Sequence, residues 1–584
     1  MSFSTTQIES VLAIDVGTVH TRAYLFEITD DKFHFIAQGI TRTTAEAPTK
    51  DIGEGILLAI KNLEAITERV IIGPDGRFVI PSLPTGAGVD GMIATISVGP
   101  AIKTICAGLL AEVSLESAEH LAKTSYTRVN DRLYITDTRK IDSQIDSILK
   151  IMPDVIILAG GSENGATRSI QKMLETIGIT CSILPQEKRP EILFAGNGAL
   201  KDHVKASIEA HAPVVYTSNI RPNPETERMD PAQLSLSEIV TRVKYRQISG
   251  AYELNQMVSN RLMLTSASFG RMIRFLGNVY NSQNGVMGID IGTSNTTVAV
   301  GKSGGLTMQV AHCGTEKDSF IESMFKIKPQ DLQMWINYSL SDDYIQEYLM
   351  NKAVFPATIP TSNEDLAVEY ALARYRIKQA IISTGKNYPN LNLLYKEGLN
   401  SGFEPVILSG TTLNGSPSLA HTLMIILDGL QPIGVTTLVL DNNNVLPVLG
   451  ACGQLVPALP VEVLESGVMQ NLCTVISPVS NRKPGTTILY AHLVLDTNEE
   501  IDLEIQQGNL TLLPLAQGQT AKMYIEPVNN ADLGLGSPGK GGSFRISAGI
   551  MGLVFDARGR PIVTPADTLE RQETLNRWLL SLRV

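Results

Sequence analysis

The chain has 584 residues, room for three or four domains at roughly 150 residues each. Acidic side chains outnumber basic ones, 59 to 48, and the net charge of −11 is spread along the sequence, which argues against a nucleic-acid partner. The 43% hydrophobic and 18% charged residues belong to a globular chain and not a disordered one.

The N-terminal MSFSTTQIES has neither the basic start nor the apolar run of a signal peptide, and the richest apolar stretch, Leu423 to Leu430, is broken by Asp428. A cytoplasmic protein without a membrane span is therefore expected. Five cysteines (Cys106, Cys181, Cys313, Cys452, Cys473) lack CxxC spacing and read as reduced core thiols. The histidines do not cluster as HxxxH or HxH, so no metal site is expected from them.

In chain order, Val11 to Arg22 (VLAIDVGTVHTR) predicts an apolar strand, a short polar turn and the start of a second strand, Ala23 to Ile28. A third is expected near Phe33 to Ile40, and turns this short require antiparallel hairpins. Asp51 to Arg69 predicts a helix with Ile56, Leu57, Ile60, Leu63 and Ile66 on one side. Gly73 to Arg139, with its Gly/Pro-rich turns and short strands, reads as an insertion. Ile141, Ile145, Ile148 and Leu149 form an apolar stripe leading into a buried-type strand at Val155, a glycine turn and a helix over Ala166 to Ile177. Ser235 with Glu238 is spaced as a capping box opening a linking helix, and the Met and Tyr residues of Tyr252 to Met263 have core spacing.

The opening unit then recurs. Val286 to Thr297 (VMGIDIGTSNTT) repeats VLAIDVGTVHTR at Ile-Asp-x-Gly-Thr-x-x-Thr, with further strands at Val298 to Val300 and Leu306 to Val310. Ser362 with Asp365 opens a long helix to about Ile382. Pro405 to Gly415 (PVILSGTTLNG) repeats Val155 to Gly165 (VIILAGGSENG), aligning Leu158, Gly160, Asn164 and Gly165 with Leu408, Gly410, Asn414 and Gly415.

From about Leu459, short strands (Thr487 to Leu495, Ile501 to Ile505, Leu510 to Pro514, Lys522 to Glu526, Phe544 to Ser547, Met551 to Phe555) predict a β-rich domain closed by a helix, Thr568 to Leu582. GLGSPGKG in that region imitates a phosphate-binding loop, but Gly541 follows Lys540 and a strand follows Gly542, so Gly534 to Gly542 is expected to be a plain loop.

The hairpin turns carry the chemistry. An aspartate at the end of a buried strand followed by Gly-Thr suits a polyphosphate with Mg²⁺. Gly17 and Gly292 let the backbone approach an anion, turn amides converge on it, and Thr18, Thr21, Thr293, Ser294 and Thr296 add hydroxyl donors. Asp15 and Asp290 are the candidate Mg²⁺ ligands, acting through waters. His20 reads as an exposed turn residue. No nucleophile or catalytic base can be assigned from spacing.

Residues 10 to 455 resemble the superfamily of actin, the seventy-kilodalton heat-shock chaperones and the sugar kinases, through the paired IDxGT turns and the later glycine turn. The order of elements is most similar to the glutamate mutase L (MutL-like) family, on VLAIDVGTVHTRAYLFEI, PDVIILAGGSENGA, PVVYTSNIRPNP and GVMGIDIGTSNTTVAV. That resemblance implies an α/β fold of duplicated actin-like (ribonuclease H-like) halves around a nucleotide cleft, with ATP and Mg²⁺ as cofactors. It implies a role as a reactivation factor for adenosylcobalamin-dependent mutases, with such a mutase as protein partner.

By the same resemblance Asp15, Gly17 and Thr18 form the first phosphate turn, and Asp290, Gly292, Thr293 and Thr296 the second. Ser409, Gly410 and Thr411 lie at the adenosine, with Gly160 and Gly161 as their pseudo-symmetric counterpart. The family pattern of the second turn, D-x-G-G-x-x-T-D, is altered by Thr293 and Thr297, and the second glycine of the adenosine turn is Thr411. The expected domains are 1–230 with an insertion at 73–139, a helical linker 231–285, a second half 286–458 and the β-rich region 459–584. A self-assembling actin-like filament protein and a small-molecule kinase are the competing functions.

Overall fold

The computed structural model describes residues 8–163, 165, 168–280, 285–312, 320–396, 398–400 and 402–583. Strands are numbered in chain order. β1 (Ser10–Val16), β2 (His20–Thr29) and β3 (Lys32–Arg42) form antiparallel hairpins. The helix Ile52–Thr67 follows, capped by Asp51, whose side chain accepts from the Gly53 amide. β4 (Gly91–Ile96) then lies parallel to β1.

The chain next leaves this sheet to build a second one from β5 (Ile102–Ala107), β6 (Thr127–Leu133), β7 (Val155–Leu158), β8 (Glu191–Phe194) and β9 (Val214–Tyr216). This sheet is all parallel, in the order β6-β5-β7-β8-β9. The chain returns through the helix Asp230–Gln247 and β10 (Leu262–Leu264), which pairs with β4 and completes the first sheet as β10-β4-β1-β2-β3.

The second half repeats that order. β11 (Val286–Ile291), β12 (Asn295–Lys302) and β13 (Gly305–His312) are antiparallel, and a small hairpin follows from β14 (Leu394–Tyr395) and β15 (Gly398–Leu399). β16 (Val406–Ser409) and β17 (Gly434–Leu440) then run parallel to β11, giving β13-β12-β11-β16-β17. Identical strand order and direction in two successive units is the duplicated ribonuclease H-like, actin-like fold. The halves meet over one shared apolar core: Val11, Tyr24, Phe26 and Ile93 pack with Phe269, Ile273, Val286, Val448 and Leu449. There the helix Thr265–Tyr280 crosses the helix Leu446–Cys452 so closely that a Cβ on Gly450 would lie 2.0 Å from the Ser268 carbonyl oxygen.

Several expectations are corrected. The pairing of VIILAGGSENG with PVILSGTTLNG is not structural, because β7 lies in the inserted sheet while β16 lies beside β11. The strand in β16's place in the first half is β4. Both matched segments are buried parallel strands running into glycine turns, and such strands share composition without shared position. The insertion forms its own sheet over 102–216 rather than 73–139, and the expected linker 231–285 contributes β10 to the first sheet. Ser235 caps nothing, since its helix already begins at Asp230 and its hydroxyl donates to the Pro231 carbonyl.

Leu57 and Ile66 face solvent, as do Tyr252 and Met257, while Ile56, Ile60 and Leu63 are buried as expected. Ser362 does cap its helix, accepting from the Asp365 amide at 3.0 Å, and that helix runs Asn363–Asn387. Cys106, Cys181, Cys452 and Cys473 are buried free thiols, and Asn164, Ala166 and Cys313 fall outside the described residues.

The C-terminal strands appear where expected, but they divide between two sheets. β18 (Gln470–Ser477) pairs antiparallel with β17, and β24 (Leu553–Asp556) and β21 (Leu510–Leu513) continue that sheet to eight strands. β19 (Thr487–Leu495), β20 (Glu500–Gln506), β22 (Thr520–Pro527) and β23 (Gly542–Ser547) form a separate antiparallel sheet. Gly534 to Gly541 is the loop between β22 and β23, with Gly534, Gly536 and Gly539 at positive φ. The helix Thr568–Leu580 ends the chain, and no described helix is long and apolar enough to cross a membrane.

Candidate functional site

The hairpin register decides what faces the cleft. Antiparallel pairing sets Asp15 opposite Arg22 in the first half and Asp290 opposite Thr297 in the second, so each pair shares a sheet face. Both turns are tight. The Gly17 amide donates to the His20 carbonyl at 2.9 Å, and a Cβ there would lie 2.9 Å from that oxygen. At Gly292 a Cβ would lie 3.1 Å from the Asn295 carbonyl. The turns touch, the Ser294 hydroxyl donating to Thr18 Oγ1 at 3.4 Å.

The third segment is brought in by Gly410, at φ +126°, where a Cβ would sit 2.4 Å from the Ile291 carbonyl oxygen. Only glycine permits that approach. The Gly410 amide donates to Asn444 Oδ1 at 2.9 Å, and the Ser409 hydroxyl donates to Asp441 Oδ2 at 3.1 Å. Asp441 in turn accepts from the amides of Val445 and Leu446, at 2.9 and 3.0 Å, at the start of the helix Leu446–Cys452.

One cavity of about 70 Å³ joins these segments: Asp15, Gly17, Thr18, Asp290, Gly292, Thr293, Ser294, Gly410 and Thr411 all line it. Thr21, Thr296 and Ser409 do not. Thr21 is fully buried against the helix Ile52–Thr67, and Thr296 points to the other side of β12, as alternation along a strand requires. Ser409 is fully buried and acts on Asp441 and Asn444. Gly160 and Gly161 end β7 in the inserted sheet and take no part. His20, expected in solvent, is partly buried and lines the cavity; burial, with Arg22 and Arg42 nearby, pushes its pKa down to about 4.

Arg22 occupies the centre of this arrangement, and the motif reading passed over it. Its guanidinium lies 3.6 Å from the Asp15 carboxylate and donates to Thr411 Oγ1 at 2.8 Å, bridging the halves, while its buried Nε has no partner. Asp15 also accepts from Thr95 at 2.7 Å and Thr265 at 3.1 Å, yet burial still raises its pKa, with Arg22 opposing. Among the described residues Asp290 has no such donors. Burial, then the charges of Asp15 and Asp441, push it up to about 7. Burial raises Asp441 as well. The position of Arg22 could have been read from the hairpin register opposite Asp15; Asp441 arrives from far along the chain and carries no local signal. Among the described residues no group of three or more His, Cys, Asp or Glu side chains is spaced to hold a metal ion directly.

The profile of the MutL protein family matches residues 11–468, which take in both hairpin turns, the inserted sheet and the Gly410 turn. The chain belongs to the MutL protein family. No curated protein matches it. Among solved structures it is similar to a diol dehydratase-reactivating factor in nucleotide-free form, at 9% identity and a TM-score of 0.29, covering 79% of this chain and 100% of the other. It is also similar to the activator of the 2-hydroxyisocaproyl-CoA dehydratase from Clostridium difficile with bound ADPNP, at 9% identity and 0.26, covering 78% and 97%. For the acetate kinase from Entamoeba histolytica the values are 9% and 0.24, covering 77% and 100%. The actin-like fold of this MutL family member rests on its own strand order.

Proposed function

We propose that this MutL family member is a nucleotide-operated switch: Mg-ATP binds between its two halves, and a protein partner reads the resulting change in their angle. The single observation carrying this reading is the convergence of both hairpin turns and the Gly410 turn on one cavity, around three buried or partly buried carboxylates and a central arginine. The residues fit the cofactor. Arg22 has an unpartnered buried Nε suited to a phosphoryl oxygen, the turns offer amides and the hydroxyls of Thr18, Thr293 and Ser294, and Asp15 and Asp290 are hard oxygen ligands for hydrated Mg²⁺. Bound Mg²⁺ would supply charge neutralisation along the polyphosphate.

A cavity of about 70 Å³ is smaller than the roughly 300 Å³ at which ligand pockets begin. In this reading the nucleotide extends into the adjoining cavity of about 740 Å³, which shares Thr18, Ser97, Tyr126, Ser294 and Asn295, and its entry breaks two links, Ser294 to Thr18 and Arg22 to Thr411. The switch lies in those links, and rotation occurs about the shared core at Gly450. Membership of the MutL family and the resemblance to mutase reactivation factors support a cobalamin-dependent mutase as the partner and a cytoplasmic setting.

Calorimetry of Mg-ATP against wild type, Asp15→Ala and Asp290→Ala tests the site. Wild type is expected to bind, and each substitution to weaken binding at least about tenfold, about 1.4 kcal/mol. Phosphate release followed in the same samples separates a hydrolytic switch from a holder of nucleotide. A wild-type protein that binds no nucleotide would sink the proposal.

A further inference from the structure

A second cavity, of about 110 Å³, lies behind the second hairpin turn, between β6 of the inserted sheet and the second half's β12, β13 and helix Asn363–Asn387. Its described lining includes Lys123, Arg128, His312 and Arg376 and no carboxylate. Two of these basic side chains hold buried nitrogens with no hydrogen-bond partner among the described residues: Arg128 Nε, and both Nε and Nη2 of Arg376, a residue only 9% exposed. Thr296 turns its hydroxyl into the same cavity, and that buried oxygen is also without a partner.

A guanidinium removed from water and left without hydrogen bonds is costly, and such groups in folded chains are normally paired or bound to an anion. Arg22 has Asp15 beside it, whereas Arg376 makes no described ion pair; the carboxylate its charge reaches, Asp290, faces the nucleotide cleft and not this cavity. The guanidinium fork matches the spacing of oxygens on a tetrahedral oxyanion, and a hydroxyl completes such a site as a neutral donor.

From this geometry we infer a second binding site, for a phosphate-type oxyanion, held between Arg128 of the first half and Arg376 and Thr296 of the second. Its hydroxyl ligand faces away from the nucleotide cleft, since Thr296 alternates with Asn295 and Thr297, which face that cleft from the same strand, while Arg128 also borders the larger cavity that reaches Thr18 and Ser294. The occupant links the halves, because its ligands come from both. It is either free phosphate or the phosphoryl end of a larger ligand reaching in from the cleft.

The test is calorimetry of the full chain with inorganic phosphate, at ionic strength held constant with chloride, on wild type, Arg376→Gln and Arg128→Gln. Wild type is expected to bind one phosphate, Arg376→Gln to weaken it at least tenfold and Arg128→Gln to weaken it severalfold. A phosphate-dependent rise in wild-type melting temperature is expected to shrink in both variants. If Arg376→Gln fails to fold, Arg128→Gln, at a half-buried position, carries the test alone.

Repeating the titration with the protein saturated in Mg-ATP separates the sources: phosphate that still binds is the free ion, and phosphate that is displaced marks the site as taken by the nucleotide's phosphoryl end. Phosphate binding that survives Asp15→Ala would stand even where nucleotide binding fails. Absence of phosphate binding in wild type, or equal binding in all three proteins, overturns the site.

Discussion

The two hairpin turns share a backbone and differ in charge. Asp15 is held by Thr95, Thr265 and Arg22, whereas Asp290 has Thr297 opposite it and no hydrogen-bond donor among the described residues, and burial beside Asp15 and Asp441, only partly opposed by Arg22 and Arg376, pushes it up to about 7. One turn therefore has its compensating cation built into the chain. The other carries a carboxyl that holds a proton near neutrality until a cation replaces it. The duplication has kept the geometry and left the two turns with different electrostatics.

The comparison breaks most completely if the first turn is made like the second. Arg22→Thr removes the cation opposing the buried Asp15 charge and the bridge to Thr411, so Asp15 is expected to titrate still higher. Removing one partner of a buried pair costs about 3–5 kcal/mol, read as a lower midpoint in urea at pH 7.5. Mg-ATP affinity is expected to fall by more than tenfold in calorimetry, and an unchanged affinity would show that Arg22 serves only Asp15.

A smaller effect sharpens the comparison from the other side. With Asp290 raised to about 7, the folded protein binds more protons than the unfolded chain between about pH 4 and pH 7. The contribution of Asp290 to stability therefore falls as pH rises through that window, against the opposite contribution of His20, and its penalty is complete above pH 7. Asp290→Asn removes it and is expected to be more stable than wild type at pH 8, by on the order of 2 kcal/mol, while matching it near pH 4. Thermal unfolding across pH 4 to 8 reads this, and Mg-ATP binding by wild type should strengthen over the same range as the proton leaves. A variant no more stable at pH 8 would mean that Asp290 is ionised without cost.

The smallest effect belongs to Thr411, which stands where the family's adenosine turn has its second glycine. Thr411→Ala deletes the acceptor for Arg22 and weakens the closed cleft by about 1 kcal/mol. Apparent Mg-ATP affinity should improve by up to about fivefold, as expected when a competing closed state is destabilised. Weaker binding would show instead that Thr411 contacts the ligand.

Local signals in the sequence proved legible, and signals of pairing less so. The IDxGT turns, the Ser362 cap and all six C-terminal strands follow from periodicity and turn chemistry within a dozen residues of one another. What failed was deciding which sheet a strand joins. VIILAGG and PVILSGT are locally the same kind of segment, and only pairing with strands outside the local window, Thr104 with Val155 and Met287 with Val406, sends one to the inserted sheet and the other beside β11. The same limit hid Asp441, Thr95 and Thr265, whose importance lies in what they face. Arg22 was within reach, since the register of a short hairpin fixes the residue opposite Asp15.

The antiparallel seam between β17 and β18 has a mechanical meaning. Hydrogen bonds run unbroken from β13, at one edge of the second half, across to β21, and one apolar core ties β18 and β24 to the sheet of β19, β20, β22 and β23. That outer sheet is thereby bolted to the second half, which itself packs on the first at the close helix crossing of Gly450 and Ser268. Under the proposed opening, the parting that separates Ser294 from Thr18 would carry the outer sheet along as one body with the second half.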